Sequence, residues 1–133
     1  MRLDIAVCDT SALLAIVGVL PLQPPEVDII YAPDAALLEV IAVLRSFHEG
    51  RLVDVQGDLA LIGPMVSEWV GTHRIAGTLA ELSALHPDEL IADLAAVSAA
   101  KVTRLPLVTG QPGLAGLDPD VAVVLLPRAK PSN

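Results

Sequence analysis

Aromatic residues are nearly missing from this chain. It has one Trp, one Tyr and one Phe, 2% of the residues, although 53% are hydrophobic. Its core must therefore be built from Ala, Val, Leu and Ile, and small Ala-rich helices packed on aliphatic strands fit an α/β layer architecture. Cysteine is scarce too. Cys8 stands alone, which excludes an internal disulfide and agrees with a reducing compartment. It lies in a strand-like run with no His nearby in sequence, and reads as a small core residue rather than a nucleophile. Basic residues are few: 8 Lys and Arg face 16 Asp and Glu, for a formal net charge of −8. Such a chain repels a phosphate backbone at long range, which argues against a general nucleic-acid binder. A bound metal would reverse the sign locally.

Several motifs are absent. The longest apolar run near the N-terminus, Ser11 to Leu22, falls short of the roughly 20 residues a membrane span needs. Arg2, Asp4 and Asp9 interrupt what would be the core of a signal peptide. The expectation is a soluble, cytoplasmic protein with no membrane partner. No GxGxxG, GxxxxGK[ST] or GxSxG occurs, and His48, His73 and His86 follow no zinc spacing. A phosphate-accepting receiver domain would need an acid pair after the first strand and a Lys after a late one. "CDTS" and "VTGQ" supply neither.

What is present reads as strands alternating with helices. The chain's 133 residues suit one domain with a real core. Strands are expected at Leu3 to Cys8, Val27 to Tyr31, Arg104 to Gly110 and Val121 to Leu126. Helices are expected from Thr10 to about Gly18, from Pro33 and Asp34 to about Phe47, from His73 to Leu85, and from Pro87 to about Ala100. "LPLQPPE" is a loop, because its three prolines exclude regular structure. Between residues 52 and 72, Gly57, Gly63, Pro64 and Gly71 suggest only short helices, with Trp69 at a helix edge. Pro112 to Leu117 reads as a turn or short helix. The strands are solid apolar runs, as in a parallel sheet covered on both faces. The predicted fold class is a three-layer α/β/α domain with a central, mostly parallel sheet of four to five strands. It spans residues 1–127 and is followed by a polar tail, 128–133, expected to fray.

Three acids stand in apolar surroundings. Asp9 ends the first strand in "AVCDTSALLA". Glu39 is the single polar residue of "AALLEVIAVL", and Asp93 lies in "LIADLAAVSAA". An ionised carboxylate buried without a partner costs several kcal/mol, so each needs a buried Arg or Lys, a raised pKa or a bound cation. Arg45 is the one basic residue near Glu39, and Lys101 and Arg104 lie beyond the Asp93 helix. Ligands of open parallel sheets sit at the carboxyl ends of the strands. Asp9 is there, and "VTGQ" brings Thr109 and Gln111 to the same edge. Carboxylates with retained water suit Mg²⁺ or Mn²⁺. Plainer readings stand beside this one. Asp9 could cap the helix that follows, Glu39 could lie on an exposed stripe or pair with Arg45, and Asp93 could be a surface residue.

These blocks, in this order, resemble the PIN-domain family, and most closely its small VapC-type ribonuclease toxins. "VCDTSALLA" is similar to the family's opening strand, Asp and helix. "YAPDAALLEVIAVL" resembles its second block, and "ADLAAVSAAKVTRLPLVTG" its third. The resemblance implies a PIN-like fold and catalytic, metal-binding roles for Asp9, Glu39 and Asp93. It implies supporting roles for Thr10, Thr109 and Gln111, a Mg²⁺ or Mn²⁺ cofactor, an RNA substrate, an antitoxin partner and a homodimer. Arg45, Arg51 and Arg74 would help to hold the RNA. The chain departs from the pattern twice. A fourth acid is usual two positions after the "LVT" Thr, where this chain has Gln111; Asp118 and Asp120 are the nearest acids after it. The proline-rich "PLQPPE" stands where the family often has a further helix. Gln111 keeps a second function open: a PIN-like protein-binding module with weakened or lost catalysis.

Overall fold

The computed structural model describes residues 2–130. Five strands form one sheet: β1 (Leu3–Cys8), β2 (Val27–Pro33), β3 (Val66–Val70), β4 (Leu107–Thr109) and β5 (Val123–Leu125). All neighbouring pairs are parallel, in the order β3-β2-β1-β4-β5. The helices are α1 (Thr10–Ile16), α2 (Asp34–Phe47), α3 (Leu52–Met65), α4 (Thr72–Leu85) and α5 (Ile91–Thr103). The α/β/α class expected from sequence is present, with the sheet wholly parallel.

Strand alternation explains the two cores. Along β1, Ala6 and Cys8 point to one face and Val7 to the other. The Ala6 and Cys8 face packs under α1, α2 and α3, with Leu13, Val40, Leu44, Val55 and Ile62 fully or nearly buried. The Val7 face packs under α4 and α5, with Ile75, Leu82, Leu94, Val97 and Leu107 buried. Burial of each such aliphatic side chain is worth about 1.5–3 kcal/mol. Every residue of α5 from Leu94 to Ala100 is buried. Four of the seven are Ala, which lets this helix lie close to the sheet and to α4. Its one hydroxyl in that stretch, on Ser98, is satisfied by the Leu94 carbonyl at 2.7 Å.

The segment 52–72 departs from the sequence expectation. It holds one long helix, α3, and then the edge strand β3. A glycine inside a helix costs only about 1 kcal/mol, and Pro64 falls in the last turn, where it removes a single donor. The apolar stripe Val55, Leu59 and Ile62, at i, i+4 and i+7, turns inward and holds the helix down. Trp69 lies in β3, half-buried, rather than at a helix edge.

Two further boundaries differ. The helix expected from Pro87 begins at Ile91, with Leu90 at its N-cap. Of the tail expected from 128, residues 131–133 lie outside the described residues. Its first part is not frayed: Leu22 and Arg128 form an antiparallel bridge, and Ala129 N donates to Pro21 O at 3.0 Å. No helix among the described residues is long and apolar enough to cross a membrane.

Cys8 is fully buried in β1. Burial, and next the adjacent Asp9 charge, push its thiol pKa up to about 12. The thiol therefore stays protonated throughout the neutral range. We predict that the folded protein leaves Cys8 unmodified by a disulfide reagent at pH 8, and that one equivalent reacts after denaturation. Rapid reaction of the native protein would contradict this packing.

Candidate active site at the sheet edge

The strand order creates the site. The chain leaves β1 toward β2 on one side, and leaves β4 toward β5 on the other. The crevice between the carboxyl ends of β1 and β4 is the switch point at which open α/β sheets place ligands. The β1–β4 register pairs Cys8 with Val108, so the next residues, Asp9 and Thr109, stand side by side at this crevice.

Asp9 is 3% exposed, yet all its hydrogen-bonding capacity is directed. Oδ1 accepts from Ser11 Oγ at 2.6 Å and from Ala12 N at 2.9 Å. Oδ2 accepts from Thr109 Oγ1 at 2.5 Å and from Gln111 Nε2 at 3.4 Å. Asp9 is thus the N-cap of α1 through one oxygen and part of the crevice through the other. The cap and site readings hold together. Burial raises its pKa; bonds from Ser11, Thr109 and the Ala12 backbone oppose that rise, and the Asp93 charge adds to it.

Asp93 reaches the same place from α5. Because that helix starts at Ile91, Asp93 lies in its first turn, where the helix dipole favours an acid. It is half-exposed rather than buried as the apolar surroundings suggested. Gln111 Nε2 donates to Asp93 Oδ1 at 3.3 Å and so joins Asp93 to Asp9. The Gln111 backbone N donates to Thr109 Oγ1 at 3.0 Å.

Glu39 takes a different position. It lies in the second turn of α2, half-exposed, and Oε1 accepts from Thr10 Oγ1 at 2.6 Å. The apolar run around it does not bury it, because α2 leaves Leu38 and Ile41 open to solvent. Single exposed apolar residues are ordinary on protein surfaces. Asp9, Asp93, Thr109 and Gln111 therefore form one hydrogen-bonded set, and Glu39 joins through Thr10, the neighbour of Asp9. Arg45 is exposed and makes no ion pair with Glu39; among the described residues no cation pairs with Asp9, Glu39 or Asp93.

Ser11 was given no role by sequence reasoning. Its hydroxyl donates to Asp9 and accepts from Gly110 N at 2.8 Å, tying the two strand ends together. A hydroxyl two residues after a capping Asp was the available signal. Asp118 cannot serve as the missing acid. It binds Lys101 Nζ at 2.7 Å, and Lys101 lies about 12 Å along α5 from Asp93. Lys101 also holds the Asp118 carboxyl below the usual range.

The donor set is all oxygen and amide, which suits a hard divalent ion that keeps part of its water. Among the described residues, however, no three acids stand close enough to ligate one ion together. Asp9 and Asp93 are the two acids here that could hold an ion.

No family model and no curated protein matches this sequence. Solved structures do match its fold. VapBC2 from Rickettsia felis, bound to a DNA fragment from its promoter, superposes with a TM-score of 0.70 at 13% identity, over 92% of this chain and 98% of that one. PAE2754 from Pyrobaculum aerophilum gives 0.65 at 13%, over 92% and 90%. A toxin–antitoxin complex from Klebsiella pneumoniae gives 0.58 at 21%, over 90% and 95%. The chain has the PIN-like fold that its sequence blocks resemble.

A raised carboxyl pKa sets a sign. Asp9 favours the folded state below the ordinary carboxylate range, and that contribution is lost as pH rises through its raised value. Asp9→Asn removes the ionisation. Its melting temperature relative to wild type is expected to be higher at pH 7.5 than at pH 4. A thermal-melt difference that stays flat or grows on acidification would show that Asp9 is not desolvated as described.

Proposed function

We propose that this protein is a metal-dependent endoribonuclease, the toxin of a toxin–antitoxin pair, with residues 1–127 as its single PIN-like domain. The observation that carries this reading is the buried Asp9, held by four hydrogen bonds at the switch point and facing Asp93 with no cation paired to either among the described residues, on a fold shared with VapBC toxin–antitoxin structures. PIN folds typically use divalent metals. A Mg²⁺ or Mn²⁺ ion held by Asp9 and Asp93 would supply a water of lowered pKa and a Lewis acid for the RNA phosphodiester.

The chain's own groups supply orientation. Thr109, Ser11 and the Ala12 amide fix the Asp9 carboxylate, whose longest contact is the Gln111 amide at 3.4 Å. Thr10 holds the Glu39 carboxylate, which would orient an attacking water or take its proton. Arg51 and Arg74 are already engaged by Asp54 and Glu68. Arg45 is the freer of the three for an RNA phosphate. The net charge of −8 suits a basic antitoxin, which would be drawn to it electrostatically. The protein would act in the cytoplasm, as a homodimer. The second reading, a PIN-like binding module with little catalysis, is favoured by the neutral Gln111 lying between the two acids.

Mn²⁺-dependent cleavage of a mixed RNA pool separates the two. On the nuclease reading, Asp9→Asn or Asp93→Asn lowers cleavage by about a hundredfold or more. Thr109→Ala, which frees the Asp9 carboxylate to turn, lowers Mn²⁺ affinity or rate about ten- to hundredfold. Absence of cleavage by wild type at millimolar Mn²⁺ would sink the nuclease reading in favour of the binding module.

A further inference from the structure

The Gln111 carboxamide lies between two acids and is bonded to both, at 3.4 Å from Asp9 Oδ2 and 3.3 Å from Asp93 Oδ1. An amide NH₂ carries two hydrogens, one for each carboxylate. The opposite orientation would set the amide oxygen against two carboxylate oxygens, three acceptors with no donor among them. Both bonds are long, and both end on carboxylate acceptors in a partly buried place, where charge assistance strengthens them.

The backbone is prepared for this contact. Gln111 N is held by Thr109 Oγ1, and Pro112 confines the residue before it to extended backbone. Gln111 has φ −105° and ψ 105°. Side-chain length matters as well: Asn, one methylene shorter, would not span from this loop to both carboxylates.

We infer that Gln111 competes with the divalent ion. Its NH₂ joins Asp9 to Asp93, and an ion enters by displacing that amide rather than by gaining it as a ligand. The amide then sets how much Mg²⁺ or Mn²⁺ is needed to load the site. The identity of the competing ion rests on the nuclease reading above; the amide bridge itself does not.

The test uses the full chain stripped of metal, as wild type, Gln111→Ala, Gln111→Asn and Gln111→Glu. Calorimetry with Mn²⁺ should show binding tightened about three- to tenfold in the Ala and Asn variants, and further in Glu. Melting temperature without metal should fall in the same order, by about 2–4 °C for Ala. That loss should vanish in an Asp9→Asn/Asp93→Asn background, where no charge remains for the amide to bridge. The Gln111 side-chain amide resonances of ¹⁵N-labelled wild type should move on titration with Mg²⁺.

Weaker Mn²⁺ binding by Gln111→Ala than by wild type would make the amide oxygen a ligand and overturn the inference. An unchanged melting temperature, or no Mn²⁺ binding by any variant, would overturn it equally. Loss of the nuclease reading has a different signature. In that case RNA cleavage is absent while the Gln111 shifts in melting temperature and Mn²⁺ binding remain.

Discussion

A carboxylate buried at the end of a central strand must find partners within the fold, and the surroundings of Asp9 are organised by that need. One oxygen is taken by the start of α1, through Ser11 and the Ala12 amide. The other is taken by β4 and the loop after it, through Thr109 and Gln111. The bonds that offset desolvation therefore also lock β1, α1 and β4 into one arrangement. A site built this way is rigid where it touches the buried acid and softer where it reaches Glu39, on a half-exposed helix turn.

The composition makes the approach of α5 possible. With almost no aromatic side chains, the layers are thin, and the Ala-rich stretch from Leu94 to Ala100 packs tightly against the sheet. That close packing fixes the position of the first turn, and with it Asp93. A helix standing off on bulky side chains would carry Asp93 away from β1 and out of reach of Gln111.

The two ends of α5 show two ways of compensating an acid. At its C-terminal end Asp118 is matched by Lys101, a full positive charge at 2.7 Å. At its N-terminal end Asp9 and Asp93 are joined by a neutral amide. A neutral donor satisfies hydrogen-bonding capacity but leaves the net negative field in place. That residual field at the switch point is what distinguishes a place to bind a cation from an ordinary structural pair. Gln111 thus connects the two readings of this protein, since it both stabilises the acids and stands in the way of an ion.

Much of this was legible in the residues themselves. Local rules suffice for β1, β2, β4 and β5, for the parallel sheet covered on both faces, and for Asp9 at a strand end, because apolar runs, caps and prolines act within a few residues. Parallel-sheet topology put Thr109 and Gln111 at the same edge, and the resemblance to PIN-domain blocks put Asp93 with them. The segment 52–72 was not legible, because its glycines and Pro64 weaken a helix by less than packing of Val55, Leu59 and Ile62 returns. The exposure of Glu39 and Asp93 was one of two readings left open: an apolar run tells which residues can be buried, and only neighbouring layers decide which are. By itself the sequence determined four of the five strands, the kinds of donor and the excess of acids. Tertiary structure alone decided that Asp9 is buried, that Glu39 stands one hydroxyl away, and that the Gln111 amide lies between two carboxylates. Those facts depend on contacts between residues 18 to 102 positions apart, which no local pattern encodes.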